Sequence, residues 1–285
     1  MAYLRVKKAG SDRYLYLVKS IWDKKKKTSR QEIIKYLGRA TNVTRDDIPA
    51  EYRGNPKIIT ALALHSSNNT KALDSLIKKS RQLLYRSLLG GDIKHSEVIF
   101  RNYSNMLGTG NFFDKVLKPV MYKIGDDWKA GKISIASEHV ASNAAQRLIR
   151  GIDSKTRASY KEKILICIPV GEEHHMGCDM LEAFFSAKGF KVFNMGSSIP
   201  AETLLRFMDE NRPHCVLVSV TLRENLIAGQ RLVRKIRRQH KIPVFVGGHA
   251  LKHGKIPEFN AEIMIDTDLE HALRRVKKAV ASQVN

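Results

Sequence analysis

The sequence predicts an α/β architecture in which a small basic β-rich module precedes a four-helix bundle and a doubly wound, Rossmann-like parallel sheet. Three observations predict it. From about residue 161 onward, short apolar runs alternate with amphipathic segments, the pattern of a parallel sheet covered by helices on both faces. Between about residues 69 and 152 the apolar period is helical and glycines fall at the breaks. Near the N-terminus the apolar period is two, as in strands. The expected boundaries are 1–60, 68–155 and 160–285, and 285 residues suffice for such a division with a sizeable core.

In chain order, Arg13 to Trp22 reads as a strand with Tyr14, Tyr16, Val18, Ser20 and Trp22 on one face and Leu15, Leu17, Lys19 and Ile21 on the other. Asp23 to Ser29, with its four lysines Lys24–Lys27, reads as a hairpin loop, and Arg30 to Leu37 as the returning strand. Residues 46–57 are polar, contain Pro49, Gly54 and Pro56, and read as a linker. Helices are expected from about Asn69 to Leu89, His95 to Leu107, Asn111 to Lys129 and Ser134 to Ile152. The sheet domain is expected to place strands at 164–169, 191–195, 215–220, 244–246 and 263–265, with helices at 178–188, 201–211, 227–239 and 269–282.

Charge bounds the partners. Fifty Lys and Arg face 28 Asp and Glu, a formal net charge of +22, which implies a polyanionic partner and most simply nucleic acid. The lysine loop beside exposed tyrosines has the chemistry to grip phosphates, although a lysine-rich turn also serves to protect a sheet edge. Arg231, Arg234, Lys235, Arg237, Arg238 and Lys241 make the helix before the fourth strand basic, as an extension of the anionic-partner surface or, more commonly for such a run, as a solvated helix face. No apolar run approaches the roughly 18 residues of a membrane span, and no signal-peptide core is evident, so a cytoplasmic location is expected. The three cysteines, Cys167, Cys178 and Cys215, are scattered and odd in number, and read as buried thiols in a reducing compartment.

The chemistry centres on Pro169 to Gly177. Strand, glycine-bracketed loop, helix is the arrangement that puts ligands at the carboxyl edge of a parallel sheet. Here the loop carries His174 with Glu172 two residues before it, and a carboxylate beside a metal-binding imidazole fixes its tautomer and raises its basicity. Glu172-x-His174-x-x-Gly177 is followed, after residues 178–218, by Ser219-Val220-Thr221, and after residues 222–246 by Gly247-Gly248. In this register the three segments resemble the cobalamin-binding signature of methionine synthases, corrinoid mutases and cobalamin-dependent regulators. The resemblance implies that His174 replaces the cofactor's own benzimidazole as the lower cobalt ligand, with Glu172 accepting the imidazole N–H. It also implies that the displaced nucleotide tail runs past Ser219 and the glycine pair. Glu172 stands where Asp is usual and Thr221 where Leu is usual. His175 lacks the three-residue step to Gly177.

A second pattern lies in the helical region. Trp128 is followed after nine residues by Glu138-His139, which resembles the helical cap of cobalamin-dependent photoreceptors and related regulators. The resemblance implies that Trp128 and Glu138, with His139 beside them, surround the 5′-deoxyadenosyl group of adenosylcobalamin. An indole stacked on adenosine and a carboxylate accepting ribose hydroxyls suit that ligand. Lys129 stands where light-sensing members carry a histidine, and an ammonium does not coordinate cobalt, so the resemblance does not extend to a photoproduct with two histidine ligands. Tyr14 to Gly38 is also similar, locally, to a short β module that precedes the catalytic domain of some transposases.

Together these resemblances imply a non-enzymatic adenosylcobalamin-binding regulator, with light or cofactor changing homo-oligomerisation or nucleic-acid binding. The alternative is a corrinoid protein that carries a methyl group, as methylcobalamin, for a methyltransferase. A cobalamin store without output is the third reading.

Overall fold

The computed structural model describes residues 2–10, 12–23, 28–55, 58–59, 61–62, 70–152, 162–252, 254–265 and 267–284. The chain divides into two compact units, Met1–Glu138 and His139–Asn285.

The first unit begins with an antiparallel sheet of β1 (Ala2–Ala9), β2 (Asp12–Asp23) and β3 (Thr28–Arg39), in that order. The pairing sets Leu4 opposite Leu17 and Val6 opposite Leu15, and Leu4, Leu15 and Leu17 are buried with Ala40, Val43, Ile48, Ile58 and Leu62. The strand β1 was not expected as a separate element. The described part of the expected linker is a folded cover of this sheet. Ile48 is fully buried in it, between single 3-10 turns at Arg45–Asp47 and Ala50–Tyr52, and the Arg53 guanidinium donates to the carbonyls of Ile48 and Asp46, each at 2.7 Å. Polar punctuation marked this stretch as a loop, but one apolar anchor and one arginine clamp suffice to seat it. The loop Lys24–Lys27, Pro56, Lys57 and the side chain of Trp22 lie outside the described residues.

The helices follow as α1 (Thr70–Leu89), α2 (Ile93–Leu107), α3 (Thr109–Phe112) and α4 (Lys118–Lys129). A π-helical turn, Phe113–Leu117, joins α3 to α4, so the expected third helix is one continuous segment with a local widening. Asp92 caps α2, its Oδ1 accepting the amide of His95 at 2.9 Å. Phe112, Phe113, Val116, Leu117, Val120 and Ile124 form a continuous buried stripe, and α1 packs on α2, the π turn and α4. The next helix, α5 (Ile135–Arg150), begins in the first unit and continues into the second, burying Ala141, Ala144, Ala145, Leu148 and Ile149 at helical spacing.

The second unit is a five-stranded, all-parallel sheet of β4 (Lys163–Cys167), β5 (Lys191–Met195), β6 (Cys215–Ser219), β7 (Val244–Gly247) and β8 (Glu262–Met264), in the order β5-β4-β6-β7-β8. Its helices are α6 (Met176–Ala187), α7 (Ala201–Asn211), α8 (Leu226–Gln239) and α9 (Leu269–Val284). The predicted elements of this domain are all present, and the mixed α/β class with a helical region and a parallel sheet is as expected. One layer of the core packs Leu165, Val216, Val218, Val244 and Val246 of the strands against Leu204, Leu205 and Met208 of α7 and Leu232, Val233 and Ile236 of α8. The strand order reverses direction between β4 and β6, which places a topological switch point above their carboxyl ends. Among the described residues, no helix is long and apolar enough to cross a membrane.

Candidate functional site

The loop between β4 and α6 runs over that switch point. Gly171 turns it with φ 87°, and a Cβ there would stand 3.2 Å from the Asn225 Oδ1. The next residue, Glu172, is completely buried. Burial alone would push its carboxyl up, but amides and an amide side chain outweigh it and hold the group below its usual value. Oε2 accepts the backbone N–H of Thr221 at 2.9 Å, that of Leu222 at 3.0 Å and the Nδ2 of Asn225 at 3.2 Å. Oε1 accepts the backbone N–H of His174 at 3.1 Å and contacts its Nδ1 at 2.7 Å.

A carboxylate held ionised can only accept, so the Nδ1 of His174 is the donor, and in the neutral imidazole Nε2 is the nitrogen with the lone pair. The His174 side chain is 54% exposed while its partner is buried. The result is an imidazole fixed in tautomer and anchored from below, on the open edge of the sheet. His175 has a different role: its Nδ1 lies 3.1 Å from the carbonyl of Glu173, and its Nε2 lies 3.2 Å from the Gln146 side chain.

The other two segments of the signature meet the same edge. A Cβ on Gly177, in the first turn of α6, would lie 3.6 Å from the buried Ser219 hydroxyl at the end of β6. Thr221 contributes its backbone amide to Glu172. Gly247 accepts the Val220 N–H at 2.9 Å. Gly248 has φ 120°, and a Cβ there would stand 2.1 Å from the Val220 carbonyl oxygen. Glu172, His174, Gly177, Ser219, Thr221, Gly247 and Gly248 are therefore brought to one sheet edge. Asn225, which sequence reasoning missed, completes the cluster by donating to the Gly171 carbonyl at 3.3 Å as well as to Glu172. Nothing in its local sequence distinguished it from an ordinary residue ahead of a helix.

Trp128 and Glu138 belong to the first unit, and His139 opens the second. Trp128 ends α4 and is 41% exposed, so it is not the core anchor that an isolated Trp would ordinarily be. Its neighbour Asp127 is buried, accepts from the Tyr85 hydroxyl at 2.9 Å and the Lys123 ammonium at 2.7 Å, and its carbonyl accepts the Lys132 amide at 2.8 Å. These bonds fix the backbone that carries Trp128. Glu138 lies in the first turn of α5, half-buried, with its amide donating to the Ser134 carbonyl at 3.1 Å. His139 and Lys129 are exposed.

Among the described residues, no three His, Cys, Asp or Glu side chains are grouped to hold a bare metal ion. A single oriented imidazole suits a metal that arrives with its other ligands already attached, as cobalt does in a corrin ring. A parallel sheet with such an imidazole at its switch point defines a corrinoid-binding, Rossmann-like domain. Two family models, each described as a B12 binding domain, match residues 81–151 and 163–258, and the chain belongs to the B12-binding-domain proteins. It is 29% identical over 143 residues to the HTH-type transcriptional repressor CarH of Myxococcus xanthus. That match covers 49% of this chain and 48% of the repressor, about half of each. The solved structure of the Methanosarcina barkeri monomethylamine corrinoid protein shares the fold, with a TM-score of 0.55 and 14% identity over 70% of this chain and 99% of that one.

Proposed function

We propose that this protein is an adenosylcobalamin-binding regulator whose cofactor state controls its self-association or its binding to nucleic acid. The observation that carries the reading is the Glu172–His174 pair: a buried, ionised acceptor that leaves the Nε2 of an exposed imidazole for the cobalt. Gly177, Ser219, Thr221, Gly247 and Gly248 are assigned to the cofactor's nucleotide tail. Trp128, Glu138 and His139 are assigned to its upper ligand. The exposure of Trp128 supports this assignment, because a large indole left half in water on a fixed helix end suits a ligand-stacking role. Bound adenosylcobalamin would supply a cobalt–carbon bond that light can cleave. The chain's own residues orient the imidazole, close the loops beneath it and present the indole. The net charge of +22 and the similarity to a transcriptional repressor support nucleic acid as the output partner.

The test is purification with adenosylcobalamin in darkness, with absorption spectra and sizing recorded before and after green light. Base-off binding that depends on His174, followed by a spectral and size change on illumination, is the expected result. A spectrum indifferent to light removes the photoreceptor version and leaves a sensor of cofactor level. Preference for methylcobalamin together with methyl transfer to an acceptor would establish the methyl-carrier alternative instead. Binding with no change in oligomer or nucleic-acid affinity would leave only a store.

A further inference from the structure

The outer face of the N-terminal sheet carries a regular array that the cofactor site does not use. In register across the three strands stand Tyr3, Val18 and Ile33, then Arg5, Tyr16 and Tyr36, then Lys7, Tyr14 and Arg39. The three tyrosines of β2 and β3 form one cluster, with the Tyr36 centroid 4.9 Å from that of Tyr16 and 6.5 Å from that of Tyr14. Tyr36 is 52% exposed and Ile33 likewise 52%. Cations border the rings: the Lys7 ammonium lies 5.2 Å from the Tyr16 centroid, the Arg5 guanidinium is held by the Gln31 side chain at 2.7 Å, and Arg39 is paired with Asp12. The first 60 residues contain 15 Lys and Arg against six Asp and Glu.

Folding buries the other face of this sheet under Ala40, Val43, Ile48, Ile58 and Leu62; on this face Val18 is buried, while Arg5, Lys7, Ile33 and Tyr36 are exposed among the described residues. A sheet face that served only as a solvated exterior would not need three clustered aromatic rings, since such rings on water are costly to leave uncovered. We infer that this face, centred on Tyr16 and Tyr36 with Tyr14, Arg5 and Lys7 around them, binds single-stranded nucleic acid. Unpaired bases stack on the rings and phosphates meet the bordering cations. A duplex hides its base faces inside its own stack and offers the rings nothing, so the tyrosines select the single strand while the charges alone do not. The inference rests on the nucleic-acid half of the proposed function and is independent of the cofactor.

The experiment uses the full chain and a fluorescein-labelled oligothymidylate of about 20 nucleotides, longer than one such platform occupies, beside a mixed-sequence duplex of equal length. Fluorescence anisotropy is measured at two salt concentrations. The wild type is expected to prefer the single strand. Tyr36→Ala should weaken single-strand binding about tenfold, the scale of one lost base stack, and leave duplex binding unchanged. Tyr36→Phe should retain affinity, because the ring and not the hydroxyl does the stacking. Lys7→Ala should lower the salt slope by about one. Both tyrosine substitutions are at an exposed position, so circular dichroism should show an unaltered fold. Single-strand affinity equal to wild type in Tyr36→Ala, or a change in oligomeric state in its place, would overturn the assignment of this face. Single-strand affinity that none of the sheet variants lowers, with duplex binding retained, would leave the broader nucleic-acid reading standing without it. A chain that binds neither oligonucleotide defeats both.

Discussion

The Oε2 of Glu172 lies 2.9 Å from the amide nitrogen of Thr221, so a side chain from the loop after β4 caps the backbone that follows β6. The same carboxylate orients His174 through its other oxygen. One buried residue thus ties two loops together across the switch point and sets the tautomer of the imidazole. Glu172→Gln keeps the shape but turns an N–H₂ toward existing donors. We expect it to lower the unfolding free energy by about 1.5–3 kcal/mol, the range for hydrogen bonds to charged groups, and Asn225→Ala by about 1 kcal/mol. Denaturant titration of the purified chain measures both. Equal stability of Glu172→Gln and wild type would mean that the carboxylate does not hold the loops.

His174→Ala should cost less stability and act chiefly on the cofactor. The His174 side chain is more than half exposed but donates to the buried Glu172 carboxylate, so stability should fall by about 1 kcal/mol, less than in Glu172→Gln. Cobalamin bound to the variant should lose the spectral signature of a nitrogen ligand. For Glu172→Gln the imidazole remains but is no longer held, and affinity should fall about 10- to 100-fold. A His174→Ala protein with an unaltered cofactor spectrum would contradict the assignment of the lower ligand.

The two glycines of the third segment should separate cleanly. A Cβ at Gly247 meets only ordinary contacts, at 3.7 and 3.9 Å to Met264, whereas at Gly248 it would overlap the Val220 carbonyl at a φ of 120°. Gly248→Ala is therefore expected to cost about 2 kcal/mol or more of stability, through strain and displacement of the β6 loop. Gly247→Ala should cost less than about 1 kcal/mol. Thermal melts of the two variants check the order, and a reversed order would argue against the loop contact.

Much of this was legible in the sequence because each sheet-domain strand is a compact apolar run bounded by loops, and because the helices keep their period from α1 to α5. The three signature segments follow apolar runs, and strand ends in a parallel sheet share one edge, so the sequence pattern alone brings them together. What escaped was whatever depends on contacts between distant positions. Asn225 reaches Glu172 across 53 residues. Leu17 and Val18 lie on opposite faces of β2 and are both buried, so alternation gives the side of the sheet on which Val18 stands but not its burial. β1 has only Leu4 and Val6 as inward apolar markers beyond Ala2, too short a pattern to stand out from its basic neighbours.

The cysteines supply a chemical check on the sheet domain. Cys167, Cys178 and Cys215 are buried and unpaired, and burial pushes the thiols of Cys178 and Cys215 up to about 12. At pH 8 the native chain should therefore resist a disulfide reagent such as dithionitrobenzoate, and all three thiols should react once it is unfolded. Rapid native labelling of any of them would show that the strand or helix carrying it is open.

Asp127 gives the pH dependence its sign. The Lys123 ammonium and the Tyr85 hydroxyl, followed by the more distant Lys132, hold its carboxyl below the usual value against the opposing effect of desolvation. A carboxyl depressed in the folded state stabilises the fold at pH above its unfolded value of about 3.9, and loses that contribution as pH falls through the folded value. In Asp127→Asn the contribution is absent at every pH. Wild type should therefore melt higher than Asp127→Asn at pH 7, and the difference should shrink below about pH 4 as the wild-type carboxyl takes up its proton. Tyr85→Phe, which removes one donor and keeps the ring, should show the same convergence with a smaller gap. Because Asp127 fixes the backbone beneath Trp128, the indole fluorescence of that residue should shift over the same acid range. Melting curves that stay parallel down to pH 3 would mean that Asp127 is not the group that anchors this helix end.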